Sequence, residues 1–151
     1  MGSDIEPAVL AVVDDPWVGQ RPPMHKNTVS FVAFSESAPA HFLCALLSSP
    51  IVNVLARSSS VKGGKSFGNT NLLETVAIPA FDSASPLHQR LAALSARAHE
   101  LAAPTPGPSR VLRESGELTE VEREIDEAAA ELWGLSAVEL AEIRRSLEEL
   151  W

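Results

Sequence analysis

Residues 42–60 read FLCALLSSPIVNVLARSSS, and residues 62–82 continue KGGKSFGNTNLLETVAIPAFD. In the first stretch Phe42, Leu43, Leu46 and Leu47 recur at three and four, the spacing of one helix face. Ser37 is placed to cap that helix, and Pro39 is tolerated in a first turn, where an N–H has no partner anyway. Ser49-Pro50 restarts the chain, and Ile51, Val52, Val54 and Leu55 line a second short helix ending at Arg57. The run SSSVKGGKSFGN is polar, basic and glycine-bearing, and therefore reads as an exposed loop. Residues 71–81, NLLETVAIPAF, end in a β-leaning stretch whose Pro79 suits an edge or terminal strand.

Upstream, prolines at 7, 16, 22 and 23 and the Asp14-Asp15 pair break any regular period except the apolar run 8–13, which predicts an irregular lead-in with one strand. Residues 28–34, TVSFVAF, are β-branched and aromatic and predict a buried strand. Downstream, Ser85-Pro86 repeats the cap-then-proline signal, and Leu87, Leu91, Leu94, Ala98 and Leu101 form one apolar helical stripe. Three prolines and a glycine in residues 104–108 make a stiff connector. Beyond it Thr119 and Glu122 have the spacing of a capping box, opening a helix that runs to Trp133. Gly134 suits the left-handed closing position, and Ser136 with Glu139 opens a last helix bearing Leu140, Ile143, Leu147 and Leu150. The expected architecture is α/β in the α+β sense. A small mixed-sheet recognition domain (1–103) is followed by a Pro-rich linker (104–109) and an acidic helical hairpin (110–151). The hairpin needs a surface for its apolar face, on the domain, a catalytic partner or a second copy. Leu132, Trp133, Leu140, Ile143, Leu147 and Trp151 are the expected interface residues.

The chain of 151 residues is 45% hydrophobic and 21% charged, within the globular range, and no run of about 18 uncharged apolar residues is present to span a bilayer. A single cysteine, Cys44, cannot form an internal disulfide, and the start of the sequence lacks a basic region followed by an apolar one; a cytoplasmic setting is expected. The net charge of -8 speaks against a nucleic-acid partner until it is divided along the chain. Residues 1–75 carry five basic and six acidic groups, whereas residues 76–151 carry seven and fourteen. The acidity belongs to the second half, away from the glycine-bearing loop.

Catalytic chemistry finds little support. Gly64-Lys65-Ser66 looks like the end of a phosphate-cradling loop, yet the upstream glycine position is Ser59, and Phe67-Gly68 read as loop where a helix should begin. His25, His41, His88 and His99 show no metal-ligand spacing. His41 and Cys44 are one helical turn apart, but in an apolar helix a cysteine is ordinarily a small buried hydrophobe. The carboxylates between Glu114 and Glu131 alternate with arginine and alanine as on a solvated helix face. No nucleophile, base and oxyanion donor assemble, and the chain by itself is expected not to be an enzyme.

The order of these stretches resembles the target-recognition region of Taq-type adenine-specific DNA methyltransferases of restriction-modification and phage-defence systems. There a helix reading like L-L-N-S-P-x-x-N precedes a basic glycine-bearing loop, a strand ending in x-I-P-x, and a long helix. The tail EIDEAAAELWGLSAVELAEI is similar to the closing I-D-x-x-V-x-x-L-Y-G-L-x-x-x-E segment of that family, with Ile125, Asp126, Leu132, Trp133, Gly134, Leu135 and Glu139 on matching positions. The resemblance covers about residues 25–145. Trp133 stands where Tyr is usual and Ser48 where Asn is common. These residues contain neither the glycine-bearing loop that holds S-adenosylmethionine nor the Asn/Asp-Pro-Pro-Tyr/Phe loop that receives the flipped adenine.

The resemblance implies a non-catalytic DNA target-recognition module that partners double-stranded DNA and a methyltransferase catalytic domain or subunit, with S-adenosylmethionine held in that other half. Arg57, Lys62 and Lys65 would meet phosphates or base edges, Gly63 and Gly64 would let the backbone approach closely, and Ser66, Asn69 and Asn71 would hydrogen-bond in the groove. The alternative is a protein-interaction module that assembles a defence complex through its C-terminal helices.

Overall fold

A computed structural model describes residues 5–21, 30–59, 76–103 and 116–149. Helices dominate the described residues, and the β component is one two-stranded antiparallel ribbon. In chain order these are β1 (Val13–Asp15), β2 (Gly19–Arg21), α1 (Ser37–Ser48), α2 (Pro50–Ser59), α3 (Pro86–Ala102), α4 (Glu117–Leu132) and α5 (Ala137–Glu149).

The ribbon forms where the acidic pair was read as a breaker. The Asp15 carboxylate accepts from the backbone N–H of Trp17 at 2.8 Å and of Val18 at 3.0 Å, so the side chain itself closes the turn. Gly19 then takes the left-handed conformation (φ 72°) that a three-residue hairpin loop requires, and pairs with Asp15. The two strands predicted at 28–34 and 71–81 are not seen in their described parts. Among the described residues, 30–34 form no ladder, and Phe31, Val32 and Phe34 are exposed, so the apolar run is not a buried strand there. Residues 76–82 are a turn and irregular chain that buries Val76 and lays Ile78 and Phe81 against the helical core. Apolar alternation there records contact with helices and not sheet pairing.

The helical readings fare better. Ser85 caps α3, accepting from the His88 N–H, with Pro86 in the first turn. The predicted stripe turns inward: Leu91 is fully buried, and Leu87, Leu94 and Ala98 pack on the core. Helix α1 opens at Ser37 itself, after an extended Glu36 that makes no side-chain cap bond. Likewise α4 begins at Glu117 after Gly116, two residues before the expected Thr119 cap, and Thr119 and Glu122 lie inside the helix. Glu117 and Glu120 in that first turn suit the positive end of the helix dipole.

At the other end of α4, Gly134 (φ 67°) closes the helix. Leu135 N–H reaches the Ala130 carbonyl at 2.8 Å, and Gly134 N–H that of Glu131 at 3.1 Å. Ser136 and Glu139 form the expected reciprocal box, with the Ser136 N–H 2.7 Å from the Glu139 carboxylate and the Glu139 N–H 3.3 Å from the Ser136 hydroxyl. These bonds hold the Glu139 carboxyl below its ordinary range, through the Ser136 N–H first and its hydroxyl second. A lowered carboxyl favours the folded state when ionised. That contribution is therefore present at neutral pH and lost as pH falls through the acid range. Ser136→Ala should cost about 1 kcal/mol in urea unfolding at pH 7. The difference from the parent chain should shrink at pH 3.

One core joins all five helices: Phe42, Ala45 and Leu46 of α1, Ile51 of α2, Leu91 and Ala92 of α3, Ile125 and Ala128 to Ala130 of α4, and Leu140 of α5. The alanines let α1, α3 and α4 approach closely, and α5 closes over α2. The hairpin thus docks on the chain's own first helices. Leu140 is buried within the shared core, with Leu132, Trp133 and Ile143 packed against it and Leu147 half-buried, so these expected interface residues serve an internal contact. Trp151 and the linker 104–109 lie outside the described residues.

Candidate functional site

The stretch that resembled a recognition helix builds a bend. Pro50 has no N–H to continue α1, and α2 leaves at 61° to it. The break is filled by side chains. Ser49, fully buried, donates its hydroxyl to the Leu46 carbonyl at 2.7 Å, and Ser48 does the same to Cys44 at 2.8 Å. Asn53 points its amide back at the carbonyls of Ser49 (3.1 Å), which also accepts the Asn53 N–H at 3.2 Å, and Ser48 (3.4 Å), so the side chain spans the bend. Ser49, Pro50 and Asn53 are thus a joint that aims α2. No single described helix is long and apolar enough to cross a membrane; the apolarity of α1 and α2 is spent on this core.

Helix α2 carries the chain toward residues 60–75. On the near side Ala56 is 3% exposed, and on the far side Val76 is also 3% exposed. Of the residues expected to touch DNA, Lys62, Gly63, Gly64, Lys65, Ser66, Asn69 and Asn71 lie outside the described residues. Arg57 is within them, half-buried, and its guanidinium donates to the Leu147 carbonyl at 3.0 Å. That carbonyl lies in the last turn of α5, where the helix dipole favours a cation. Arg57 thus ties α2 to the hairpin.

The other charges place the anionic side of the molecule. Arg123 is shared between Glu120 and Glu127, Arg145 pairs with Glu142, and Arg90 and Arg97 reach carboxylates of α4 at 3.7–3.9 Å. These pairs are exposed and contribute little stability each. They do occupy the arginines, leaving a surplus of carboxylates on the hairpin. Asp126, whose side chain is 22% exposed, takes two bonds from Arg144, at 2.7 and 3.2 Å. Burial nevertheless pushes its carboxyl up, against the downward pull of Arg144.

No family, no curated protein and no solved structure matches this chain. The geometry must therefore carry the reading. It gives no activation to the His41 and Cys44 pair. Cys44 is 5% exposed, and burial pushes its thiol up despite the Ser95 and Ser48 hydroxyls nearby, so the reactive thiolate is disfavoured. Burial and the neighbouring His99 lower His41, whose Nδ1 contacts the Ser95 hydroxyl at 3.2 Å.

Sequence reasoning missed one feature, a groove of about 1240 Å³ lined by residues of all five helices and of the N-terminal segment 5–10. Cys44, Ser48, Ser95 and His99 supply polar groups along it, and Ala98, Ile125 and Leu147 apolar ones. His99 donates from Nδ1 to the Ser95 carbonyl at 2.7 Å, which leaves Nε2 as an acceptor; it takes the Val9 N–H at 2.9 Å. Another histidine, His88, is buried; it accepts the Asp82 N–H at Nδ1 and stacks on Phe42, with ring centroids 4.5 Å apart. The scattered spacing of the histidines gave no signal for either role, since their partners are backbone groups distant in sequence or irregular in structure.

Proposed function

We propose that this chain is the DNA target-recognition part of an adenine-specific DNA methyltransferase system of the restriction-modification or phage-defence kind, non-catalytic by itself and working in the cytoplasm. The observation that carries the reading is the anchoring of the two stems of residues 60–75. The chain's cationic, glycine-bearing run departs from Ala56 and returns at Val76, both buried in the helical body. A run anchored in this way can present Lys62 and Lys65 to phosphates, while Gly63 and Gly64 permit close approach and Ser66, Asn69 and Asn71 reach base edges. The occupied arginines and surplus carboxylates of α4 and α5 disfavour an approach of DNA to the exposed faces of those helices. The finer fold reading is a target-recognition-like domain, with the helical hairpin as its closing segment. S-adenosylmethionine belongs to the catalytic domain or subunit that completes the system.

Titration of a labelled mixed-sequence duplex with the full chain tests the loop. Lys62→Ala/Lys65→Ala should weaken binding about ten-fold at low salt and reduce the magnitude of the log K against log salt slope by roughly 2, near 0.9 per lost phosphate contact. Equal affinity and slope would remove the loop from the mechanism.

A protein-interaction reading is favoured by a different observation. Leu10, Val12, Trp17, Val18 and Val32 are all more than half exposed, and Trp17, at the tip of the ribbon, is 92% exposed. The hairpin's apolar face is already covered, so a catalytic partner would pack here and not on α4 and α5. Trp17→Ser should then lower partner affinity and leave duplex binding unchanged.

A further inference from the structure

Both ring nitrogens of His99 are engaged by backbone groups, and each partner can play one role only. The Ser95 carbonyl, 2.7 Å from Nδ1, accepts, and the Val9 N–H, 2.9 Å from Nε2, donates. The two partners therefore fix the tautomer: the ring proton is on Nδ1, and Nε2 is bare. The bond at Nε2 ties α3 to a segment 90 positions away in sequence. Ile5, Pro7 and Val9 of that segment are half-buried, and the Ile5 N–H reaches the Asn53 Oδ1 on α2 at 2.8 Å. The segment is thus pinned at two amides, one resting on a titratable acceptor and the other on a neutral one.

A second ring proton would land on Nε2. Nδ1 would keep its bond to Ser95, whereas Nε2 would turn from acceptor to donor and face the Val9 N–H, donor against donor. Closure and the neutral ring therefore favour each other. The closed segment is complete at higher pH and is lost as pH falls through the range in which an imidazole charges.

The other titratable and charged groups described around His99 lack this arrangement. On α1 the His41 ring stands edge-on to it, with centroids 5.0 Å apart; burial first and His99 second lower His41, so a proton on one ring opposes a proton on the other. His41 Nδ1 meets the Ser95 hydroxyl at 3.2 Å, a group that both donates and accepts, so a change of charge there leaves a bond possible. Cys44, also on α1, is pushed up by burial. On α3, Arg97 and Glu100 pair with each other at 3.2 Å. Across the groove Arg57 of α2 holds the Leu147 carbonyl and Asp126 of α4 is bonded by Arg144, while Glu6 and Glu148 line its edge. Glu122 of α4 is pushed up by burial and by Asp126, in the direction of the imidazole range, and is the group that a control must exclude.

We propose that residues 5–9 are a pH-operated strap: while His99 is neutral its Nε2 holds the strap on α3, and when the ring takes up a proton the strap lifts and one wall of the groove opens. Local protonation is thereby turned into a change of surface. The device is separate from the DNA-contacting run, and its test involves no DNA.

The full chain is titrated from about pH 8 to about pH 5, across the imidazole range, with magnetic resonance of the His99 ring proton and of the Val9 amide, and with helicity followed by circular dichroism. The Val9 resonance should move with the same midpoint as the His99 ring, at constant helicity. His99→Gln offers a neutral side chain in place of the ring and should leave the Val9 resonance flat over the range. Glu122→Gln should keep the transition where it is. By reciprocity, Val9→Pro, which has no N–H to give, should raise the His99 midpoint by about 0.5–1 pH unit, the size expected for one lost hydrogen bond. A purely structural His99 would move none of these profiles. A Val9 resonance that stays put while His99 titrates, a transition that survives His99→Gln or disappears in Glu122→Gln, or an unchanged His99 midpoint in Val9→Pro would overturn the proposal. So would a ring that gains no proton before helicity is lost. Should His99→Gln fail to fold, the midpoints of the parent chain and of Val9→Pro decide.

Discussion

Phe42→Ala is expected to destabilise the chain by about 3–5 kcal/mol, a large share of the 5–15 kcal/mol typical of a domain. Phe42 is 2% exposed and stands where three elements meet. Its ring lies 4.5 Å from that of His88 on α3 and 5.5 Å from that of Phe81 in the returning chain. Truncation removes the apolar contact and leaves a cavity that the helices cannot close, since Ala45 and Ala92 are already small. It also uncovers His88, whose Nδ1 holds the Asp82 N–H at 2.9 Å, so the segment 76–82 should loosen with it. Urea unfolding followed by circular dichroism gives the loss. Hydrogen exchange at the Asp82 and Ile78 amides should quicken more than global unfolding explains. Phe42→Leu, which keeps most of the volume, should cost less than half as much.

The second large effect is expected at Asn53. Asn53→Ala removes the side-chain donor to the Ser48 and Ser49 carbonyls at the bend and the acceptor for Ile5, and should cost about 1–3 kcal/mol for the hydrogen bonds lost, the Ser49 carbonyl keeping the Asn53 N–H. Asn53→Asp separates the two functions. It keeps the acceptor but turns an oxygen toward the carbonyls, so it should be at least as damaging as alanine while retaining slow exchange at the Ile5 amide. If Asn53→Asp were milder than Asn53→Ala, the amide would not be what holds the bend.

The helical part of this architecture was legible because its signals are local. Ser85-Pro86, Ser136 with Glu139, and Gly134 each act within about one turn, and each is found in its expected role. The Ser49-Pro50 restart was legible for the same reason. What Asn53 does there was not, because an asparagine in mid-helix has no period to reveal it. The Thr119 cap failed because the helix begins two residues earlier, at Glu117 after Gly116. The strands predicted at 28–34 and 71–81 are not seen in their described parts because an apolar, β-branched run says only that side chains meet an apolar surface, and around Ile78 and Phe81 that surface is helical. The real hairpin depended on one carboxylate folding back onto two amides, within a stretch whose charges suggested a breaker. In the candidate site, the basic loop stood out by composition. Arg57, which shares that composition, was claimed by the Leu147 carbonyl 90 positions away. The groove was invisible because its polar groups come from α1, α2 and α3 and converge only in three dimensions.

The central claim is that duplex DNA meets the cationic run between the two anchored stems. Amide chemical-shift mapping of the full chain during titration with a short duplex at low salt tests it most directly. The account predicts that the shifted resonances cluster in residues 58–75, and that those of α4 and α5 stay in place apart from the turn of α5 tied to Arg57. Shifts concentrated on α4 and α5, or spread evenly with none in residues 58–75, would contradict it.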